Sequence, residues 1–237
     1  MYNYVLIPGA WLGGWVWRDV EPYLVESGHK VFPITLTGMG ERVHLLYPEI
    51  GMDIAIEDVL NVIRFNDLDN IVLVGHSFAG KVAATVADRI PEKIRMVIYL
   101  DSFRPSETKE PQGSFAADEF GKLPEGAITI PLSESILQNI AKDVEGHNKQ
   151  WILSKCTPWP VKLATDTIKL SQSPNIVKNS YIFCDLSGVT ENEIAQEISR
   201  GYFGHLYGPY RLMKTGHYPM ITNPLELANN LLELPEC

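Results

Sequence analysis

The sequence predicts an α/β fold with a mostly parallel central sheet, helices on both faces and a small cap inserted between two strands. Three observations predict it. Strand and helix patterns alternate along most of the chain, which favours a parallel sheet covered on both sides. One buried strand ends in a sharp, serine-bearing turn that leads directly into a helix. The alternation lapses over residues 102–179 and then resumes, so we assign residues 1–101 and 180–237 to the core and 102–179 to the cap.

Each element of the core is predicted from its apolar pattern. Short buried runs predict strands, and apolar residues at helical spacing predict helices. At the last helix, Asn223 is the expected N-cap and Pro224 fits the first helical position. In chain order, the predictions are a strand at Tyr4–Ile7, a helix at Trp15–Ser27, strands at His29–Ile34, Ile71–Val74 and Ile94–Leu100, helices between these strands at Asp53–Phe65 and Lys81–Arg89, strands at Ser180–Cys184 and Tyr210–Lys214, and a helix at Pro224–Leu232.

The turn after the strand that begins at Ile71 carries the candidate nucleophile, Ser77. The sequence there is IVLVGHSFAG, an apolar strand followed at once by a helix rich in small residues. Gly75 precedes the serine and Ala79 and Gly80 follow it, because so tight a turn leaves no room for larger side chains. This arrangement is typical of a nucleophile elbow of the G-x-S-x-G type. It holds the hydroxyl at a helix N-terminus, where exposed N–H groups favour negative charge.

His217 is the candidate base. A serine hydroxyl needs a base that takes its proton during attack, and after an elbow of this type the base follows the last strand. Of the six histidines, His217 is the one between the last predicted strand and the last predicted helix. His76 is expected to point into the packing of the elbow. The other four are predicted to be surface or loop residues, namely His29, His44, His147 and His205.

Two backbone N–H groups form the candidate oxyanion hole. Such donors stabilise the negative charge that develops on the acyl oxygen. The residue after the nucleophile supplies one of them, here Phe78. The second comes from the loop after the first strand, where Gly9 lets the backbone approach the site, so Ala10 is the candidate.

The predicted cap is rich in proline and aromatic residues. It lies over the catalytic edge of the sheet, so its aromatic side chains are expected either to line a substrate pocket or to form a small core of the cap itself. The aromatic residues considered in the cap are Phe115, Phe120, Trp151 and Trp159. The candidate substrate-binding residues are Trp11, Phe103, Trp151 and Trp159.

Charge and cysteine usage exclude several classes of partner. The net charge of −9 argues against nucleic acid or an anionic membrane, since both need clustered Lys and Arg. No apolar run is long enough to span a bilayer, and no secretory signal opens the chain. The three cysteines, Cys156, Cys184 and Cys237, are odd in number and lack metal-ligand spacing. They predict reduced thiols in a cytoplasmic protein without a bound metal.

Four motifs together resemble the α/β-hydrolase superfamily. They are GAWLGGWVW at residues 9–17, TGMGER at residues 37–42, the elbow GHSFAG and the sequence GHYPM around the candidate base. More narrowly, they resemble the branch of plant methyl esterases and hydroxynitrile lyases and its bacterial relatives. The resemblance runs over nearly the whole chain, strongly at both ends and at the elbow and weakly in the cap. It implies a cofactor-free serine esterase with a Ser–His–acid triad, and the plant relatives suggest a homodimer.

The triad acid departs from the pattern of that branch. The resemblance places it after the penultimate strand, but Ser187 occupies that position here, and serine has no charge to stabilise an imidazolium. We favour Asp101, which ends the buried strand next to that of the nucleophile, because some dehalogenases and lipases of the superfamily carry their acid there. The main alternative is Asp185, and the further ones are Glu191 and Glu193.

Hydrolysis of a small carboxylic ester or lactone with an apolar part is the predicted function. A hydroxynitrile lyase of this branch has a threonine in the first loop and a lysine after the histidine, where this chain has Ala10 and Tyr218. The missing lysine removes the charge that would stabilise cyanide, which disfavours the lyase. Carbon–carbon bond hydrolysis uses the same triad and stays open. Because of Ser187, a non-catalytic small-molecule binder stays open too.

Overall fold

A computed structural model describes residues 1–105, 125–171, 173, 175–188, 190, 192–194, 196 and 206–236. Phe115, Phe120, Glu191, His205 and Cys237 therefore lie outside the described residues. The strands of the described chain are β1 (Asn3–Ile7), β2 (Lys30–Pro33), β3 (Ile71–His76), β4 (Ile94–Leu100), β5 (Thr129–Ile130), β6 (Trp159–Pro160), β7 (Lys178–Cys184) and β8 (Tyr210–Met213).

Six of these strands form one sheet in the order β2-β1-β3-β4-β7-β8, and each neighbouring pair is parallel. Its central strands are buried on both faces, as parallel strands covered by helices are. Along β1, for example, Val5 and Ile7 face one apolar core, and Tyr4 and Leu6 face the other. The predicted α/β fold with a parallel sheet is confirmed.

Helices cover both faces of the sheet. Buried residues of α2 and α3 belong to one core, and those of α1 and α8 belong to the other. Among the described residues, none of the helices combines the length and the apolar character that crossing a membrane requires. The described helices are α1 (Glu21–Glu26), α2 (Met52–Phe65), α3 (Ala79–Arg89), α4 (Glu134–Ile140), α5 (Gly146–Lys155), α6 (Val161–Thr165), α7 (Pro219–Thr222) and α8 (Pro224–Glu233), with 3-10 turns at Gly14–Trp17, Gly40–Leu45, Pro91–Lys93 and Leu234–Glu236.

One predicted helix is divided in the structure, and one predicted N-cap lacks its side-chain hydrogen bond. The helix predicted over Trp15–Ser27 is split into a 3-10 turn and α1. Pro22 explains the break, because a residue without an N–H is tolerated only in the first turn of a helix. At α8, Asn223 is the N-cap residue and Pro224 lies in the first turn, as predicted. The Asn223 side chain, however, accepts no hydrogen bond from the helix backbone. It instead donates to the carboxylate of Glu226.

The chain between β4 and β7 includes a second, smaller sheet. Its strands β5 and β6 pair antiparallel, and α4, α5 and α6 lie beside them in sequence. We refer to residues 128–166 as the cap segment. Through hydrogen bonds to the loop after β1 and to the loop after β8, this segment meets the edge of the sheet where the candidate catalytic residues lie.

Candidate active site

Ser77 lies at a sharp turn between β3 and α3. Its φ of 56° is in the left-handed region, which residues other than glycine rarely adopt and which a nucleophile elbow requires. The Gly80 N–H closes the turn by donating to the Ser77 carbonyl at 3.0 Å. The Ser102 hydroxyl donates to the same carbonyl at 2.5 Å. The predicted strand–turn–helix is therefore present, with the serine at its apex.

Small residues make this turn possible. A Cβ on Gly75 would lie 2.7 Å from the Ala79 carbonyl oxygen and 2.9 Å from the Ala83 methyl group. A Cβ on Gly80 would collide with the Ser102 side chain. The residue two positions after the serine is Ala79, not glycine, so the elbow differs from G-x-S-x-G at that position. Its methyl group is fully buried.

His217 and Asp101 form a hydrogen-bonded pair at the same edge of the sheet. Nδ1 of His217 lies 2.5 Å from Oδ2 of Asp101. Because a carboxylate only accepts, Nδ1 carries the proton, and Nε2 is left free to act as a base. The other carboxylate oxygen accepts the Cys184 N–H at 3.1 Å. The two side chains are 20% and 23% exposed, so the pair is shielded from bulk water but still accessible from the surface.

The surroundings of Asp101 favour its ionised form. Burial by itself would raise the pKa of this carboxyl group. The hydrogen bond and charge of His217, together with the Cys184 N–H, outweigh burial and hold the pKa below its usual value. At neutral pH the group is therefore a carboxylate, the form that stabilises an imidazolium.

The other described candidates for the acid are engaged elsewhere. The Asp185 carboxylate accepts hydrogen bonds from the Ser187 hydroxyl at 2.8 Å and from the Gly188 N–H at 3.0 Å. Ser187, at the expected position of the acid, thus orients Asp185 in the turn after β7. Glu193 accepts from the Thr190 N–H and hydroxyl, both at 2.8 Å. Within the described chain, the His217 ring is hydrogen-bonded to Asp101 and to no other carboxylate.

The serine and the histidine are brought into the same region through His76. The His76 ring, adjacent to Ser77 in the chain, has its centroid 4.7 Å from that of the His217 ring. No hydrogen bond joins the Ser77 hydroxyl to His217 in the part of the chain that the structure describes. Catalytic hydrogen bonds are often long without substrate and shorten when it binds. That Ser77, His217 and Asp101 act together stays a prediction.

His76 itself is buried in the elbow, as predicted, but it also has a contact that the sequence did not reveal. Its Nε2 donates to the His217 carbonyl at 2.8 Å. Burial, followed by the proximity of His217, lowers the pKa of His76 to about 3. The ring is therefore neutral at physiological pH and supports the backbone of the candidate base.

The two candidate oxyanion donors belong to the elbow and to the loop that packs on it. Neither the Ala10 N–H nor the Phe78 N–H donates a hydrogen bond to another of the described residues. A Cβ on Gly9 would lie 2.6 Å from Nδ1 of His76 and 3.1 Å from Cβ of Ser77, so the loop after β1 packs directly on the elbow. Two unused donors beside a nucleophile can stabilise an oxyanion, and this role for Ala10 and Phe78 stays a prediction.

The cap segment holds the loop after β1 through Trp11. This residue has a φ of 64°. Its carbonyl accepts the Thr157 N–H at 3.0 Å, and its indole N–H donates to the Ile130 carbonyl at 2.9 Å. The cap segment therefore fixes the backbone immediately after Ala10.

Three aromatic side chains meet beside this loop. The Trp159 ring lies 5.6 Å from Trp11 and 5.1 Å from Phe78, measured between centroids. Phe103 is 37% exposed and packs on Phe183, at 5.6 Å. The structure thus brings Trp11 and Trp159 together at the loop after β1, where both side chains are almost completely buried in the apolar core.

Trp151 lies elsewhere. Its ring packs edge-on against Trp15 at 5.0 Å, and the Arg18 guanidinium lies 3.9 Å above it. Trp151 therefore packs between the cap segment and the first 3-10 turn, an arrangement that differs from both roles expected from the sequence. A substrate-binding role for any of the four candidate aromatic residues stays a prediction.

The sequence analysis missed Asp143. Its Oδ2 accepts hydrogen bonds from the Thr215 hydroxyl at 2.8 Å and the Gly216 N–H at 2.7 Å, directly before His217. No local pattern marks this residue, because it lies in the cap segment far from the histidine in sequence. Its hydrogen bonds to the loop that precedes His217 are visible only in the three-dimensional structure.

Comparison with known proteins identifies the family of this chain. Residues 4–230 match the sequence model of the Alpha/beta hydrolase family. A carbendazim hydrolyzing esterase from Nocardioides sp. (strain SG-4G) is 32% identical, over 99% of this chain and 100% of that protein. Methylesterase 9 of Arabidopsis thaliana is 27% identical, over 100% of this chain and 99% of that protein.

Solved structures share the fold. An extracellular α/β-hydrolase from a Paenibacillus species superposes with a TM-score of 0.77 at 20% identity, covering 99% of both chains. Since both the family match and the curated relatives extend over nearly the whole sequence, the predicted relationship is confirmed. The chain belongs to the α/β hydrolase family, in the branch that includes the plant methylesterases.

Proposed function

We propose that this protein is a serine hydrolase that cleaves a small carboxylic ester or lactone. The observation that carries the proposal is the 2.5 Å hydrogen bond between His217 and Asp101, beside an elbow that presents Ser77. This pairing supplies an oriented base with an ionised partner, which a serine needs to become a nucleophile. The relatives named as esterases support the same class of reaction.

The reaction proceeds through an acyl-enzyme. Ser77 Oγ attacks the acyl carbon while Nε2 of His217 takes its proton, and Asp101 stabilises the resulting imidazolium. The Ala10 and Phe78 N–H groups hold the oxyanion of the tetrahedral intermediate. His217 then gives the proton to the departing alcohol. In the second half, His217 activates a water molecule, which releases the acid and restores the serine.

The aromatic cluster of Trp11, Phe78 and Trp159 supports an ester with an apolar acyl or alkyl part. Aromatic and apolar walls with a few placed polar groups are typical of small-molecule sites. The Phe78 side chain belongs to this cluster while its N–H is a candidate oxyanion donor. The backbone N–H of Phe78 would therefore hold the reacting carbonyl, and its ring would contact the apolar part of the substrate.

We also propose a cytoplasmic location, no nucleic-acid or membrane partner, and a homodimer. The charge of −9 supports the absence of such polyanionic partners. Cys156 and Cys184 are free thiols whose pKa values burial raises, which is consistent with a reducing compartment.

The division of the chain into core and cap, at residues 102 and 179, stays a prediction. Light scattering of the purified protein tests the dimer: a monomer mass would exclude it.

Steady-state hydrolysis tests the proposed reaction. The wild type and Ser77→Ala should be assayed on a panel of p-nitrophenyl esters from acetate to octanoate and on small lactones. We expect turnover by the wild type and a loss of several orders of magnitude in Ser77→Ala, because no other group supplies the nucleophile. If the wild type releases no more product than Ser77→Ala on every ester and lactone, the proposed reaction is contradicted and a non-catalytic small-molecule binder is favoured.

A further inference from the structure

The loop that carries His217 is anchored to a carboxylate that the proposed mechanism does not use. Asp143 lies between α4 and α5 of the cap segment. One of its oxygens, Oδ2, accepts from both the Gly216 N–H and the Thr215 hydroxyl. Both donors directly precede the histidine in sequence. Hydrogen bonds to an ionised acceptor are stronger and shorter than neutral ones, so this contact restricts the loop more than a neutral acceptor would.

The fit between Asp143 and the loop is close. A Cβ on Gly216 would collide with Oδ1 of Asp143, so only glycine permits this approach. Oδ1 is buried and makes no hydrogen bond to the described residues. Burying an acceptor without a donor is unfavourable, and positions where a native protein does so call for an explanation other than stability.

The backbone of His217 is fixed from two further sides. Its N–H donates to the Ile140 carbonyl of the cap segment at 3.1 Å. Its carbonyl accepts from His76 in the elbow. Together with Asp143, these contacts determine where the His217 Cα lies and therefore where its ring meets Asp101. Two of the three anchors, Ile140 and Asp143, belong to the cap segment.

We propose that Asp143 is a positioning residue for the catalytic base. It holds residues 215 and 216 so that the His217 ring stays aligned with Asp101 on one side and Ser77 on the other. It contacts neither the substrate nor the reacting atoms. The inference rests on the proposed role of His217. A misplacement of a catalytic group by about 1 Å can lower a rate by about 100-fold, so a remote anchor of this kind affects turnover.

The kinetic test compares variants of two neighbouring carboxylates. In Asp143→Ala, both hydrogen bonds are lost, and we expect kcat to fall by roughly 10- to 100-fold while KM changes by less than about twofold, because the aromatic cluster is untouched. Asp143→Asn keeps an acceptor oxygen for Thr215 and Gly216 and should regain most of the lost kcat. The matched control is Glu145→Ala, which removes an equal charge from an exposed side chain that accepts no hydrogen bond from the helix it precedes.

A second readout separates positioning from a general effect on folding and does not depend on turnover. The proton between His217 Nδ1 and Asp101 should give a downfield proton resonance in the wild type, in Asp143→Asn and in Glu145→Ala. In Asp143→Ala, we expect this resonance to broaden or disappear while the remaining spectrum stays dispersed. If Asp143→Ala does not fold, Thr215→Val replaces it, since that variant loses one of the two donors, and a several-fold lower kcat with a broadened resonance is then expected.

The inference is overturned if folded Asp143→Ala keeps both the wild-type kcat and the sharp resonance, or if Glu145→Ala loses as much kcat as Asp143→Ala. It is also overturned if Asp143→Asn regains none of the lost kcat. If the wild type hydrolyses no ester but the resonance still responds to Asp143→Ala, the positioning contact survives, and the proposed function alone is wrong.

Discussion

At the scale of single residues, what distinguishes Asp101 from Asp185 is the partner of each carboxylate. Asp101 bonds the His217 ring, whereas Asp185 bonds the turn that contains Ser187. The sequence showed both carboxylates at strand ends and could rank them only by resemblance. The deciding contact depends on how two loops approach each other, which no local pattern contains.

The first prediction concerns these two carboxylates. In Asp101→Asn, the neutral amide cannot stabilise the imidazolium or hold its tautomer, so kcat should fall by about 10³- to 10⁴-fold. Asp185→Asn is the matched control, and its kcat should stay within about threefold of the wild type. Both are measured on any ester that the wild type hydrolyses. The reverse ranking would show that Asp185 is the acid.

The second prediction concerns pH and His76. Its folded-state pKa of about 3 lies below the ordinary value of 6.5 because the ring is buried. The unfolded chain therefore binds the proton first as the pH falls. The contribution of neutral His76 to the free energy of unfolding is fully present above about pH 6.5. It is lost as the pH falls towards 3, by up to about 1.4 kcal/mol per pH unit.

The measurement is the free energy of unfolding in urea at several pH values between these limits, for the wild type and for His76→Gln. The amide N–H of glutamine can still donate to the His217 carbonyl, so the fold is retained. The stability of His76→Gln should fall less steeply with acid than that of the wild type, because the variant lacks the buried imidazole. Some pH dependence should remain in the variant, because other titrating groups, including His29, are present in both proteins. Identical pH dependence in the two proteins would mean that His76 titrates normally.

At the scale of elements, the core could be predicted closely because its signals are local. The strands of the sheet end within two residues of their predicted bounds, since apolar runs and following turns define them. The helix predicted over Trp15–Ser27 failed where a proline outweighed the apolar spacing. Asn223 is the N-cap residue as predicted, but its side chain contacts Glu226 instead of the helix backbone.

The third prediction concerns the packing of the loop after β1 on the elbow. In Gly9→Ala, the added methyl group would lie 2.6 Å from the His76 ring, so the loop must retreat and the Ala10 N–H leaves the oxyanion position. Loss of one such donor costs about 10²- to 10³-fold in kcat. Steady-state kinetics on a p-nitrophenyl ester measures it.

Gly28→Ala is a suitable control for this substitution. Gly28 has a φ of 84° and no atom within 4 Å of the added methyl group, so the strain affects stability without touching the elbow. Its kcat should stay close to that of the wild type. Equal kcat losses in the two variants would mean that Gly9→Ala lowers kcat by destabilising the fold and not by displacing an oxyanion donor.

At the scale of the whole molecule, the cap segment contacts two of the loops that carry the candidate catalytic residues. It holds the loop after β1 at Trp11 and the loop that carries His217 through Asp143. The sequence predicted an insertion but not these contacts, since they join segments far apart in the chain. For the same reason, it could not distinguish the packing role of Trp151 from a role in the pocket.

The fourth prediction concerns the aromatic wall that the cap segment contributes. Trp159→Phe should enlarge the space beside Phe78 and Trp11, so kcat/KM should shift towards longer acyl chains. We expect the ratio for the octanoate and acetate esters to rise by about tenfold, the scale on which small changes in apolar contact act. Trp151→Phe is the control and should leave the ratio unchanged. A shift in Trp151→Phe but not in Trp159→Phe would place the pocket on the other side of the cap segment.

The most direct test of the catalytic assignment is the mass of the protein during turnover. The wild type is mixed with p-nitrophenyl butyrate, quenched in acid within milliseconds and digested for mass spectrometry. We expect one butyryl group on the peptide that contains Ser77, with a burst of p-nitrophenolate that matches the enzyme concentration. Sustained turnover with a butyryl group on another residue, or with the Ser77 peptide unmodified at every time point, would contradict the assignment of Ser77, His217 and Asp101.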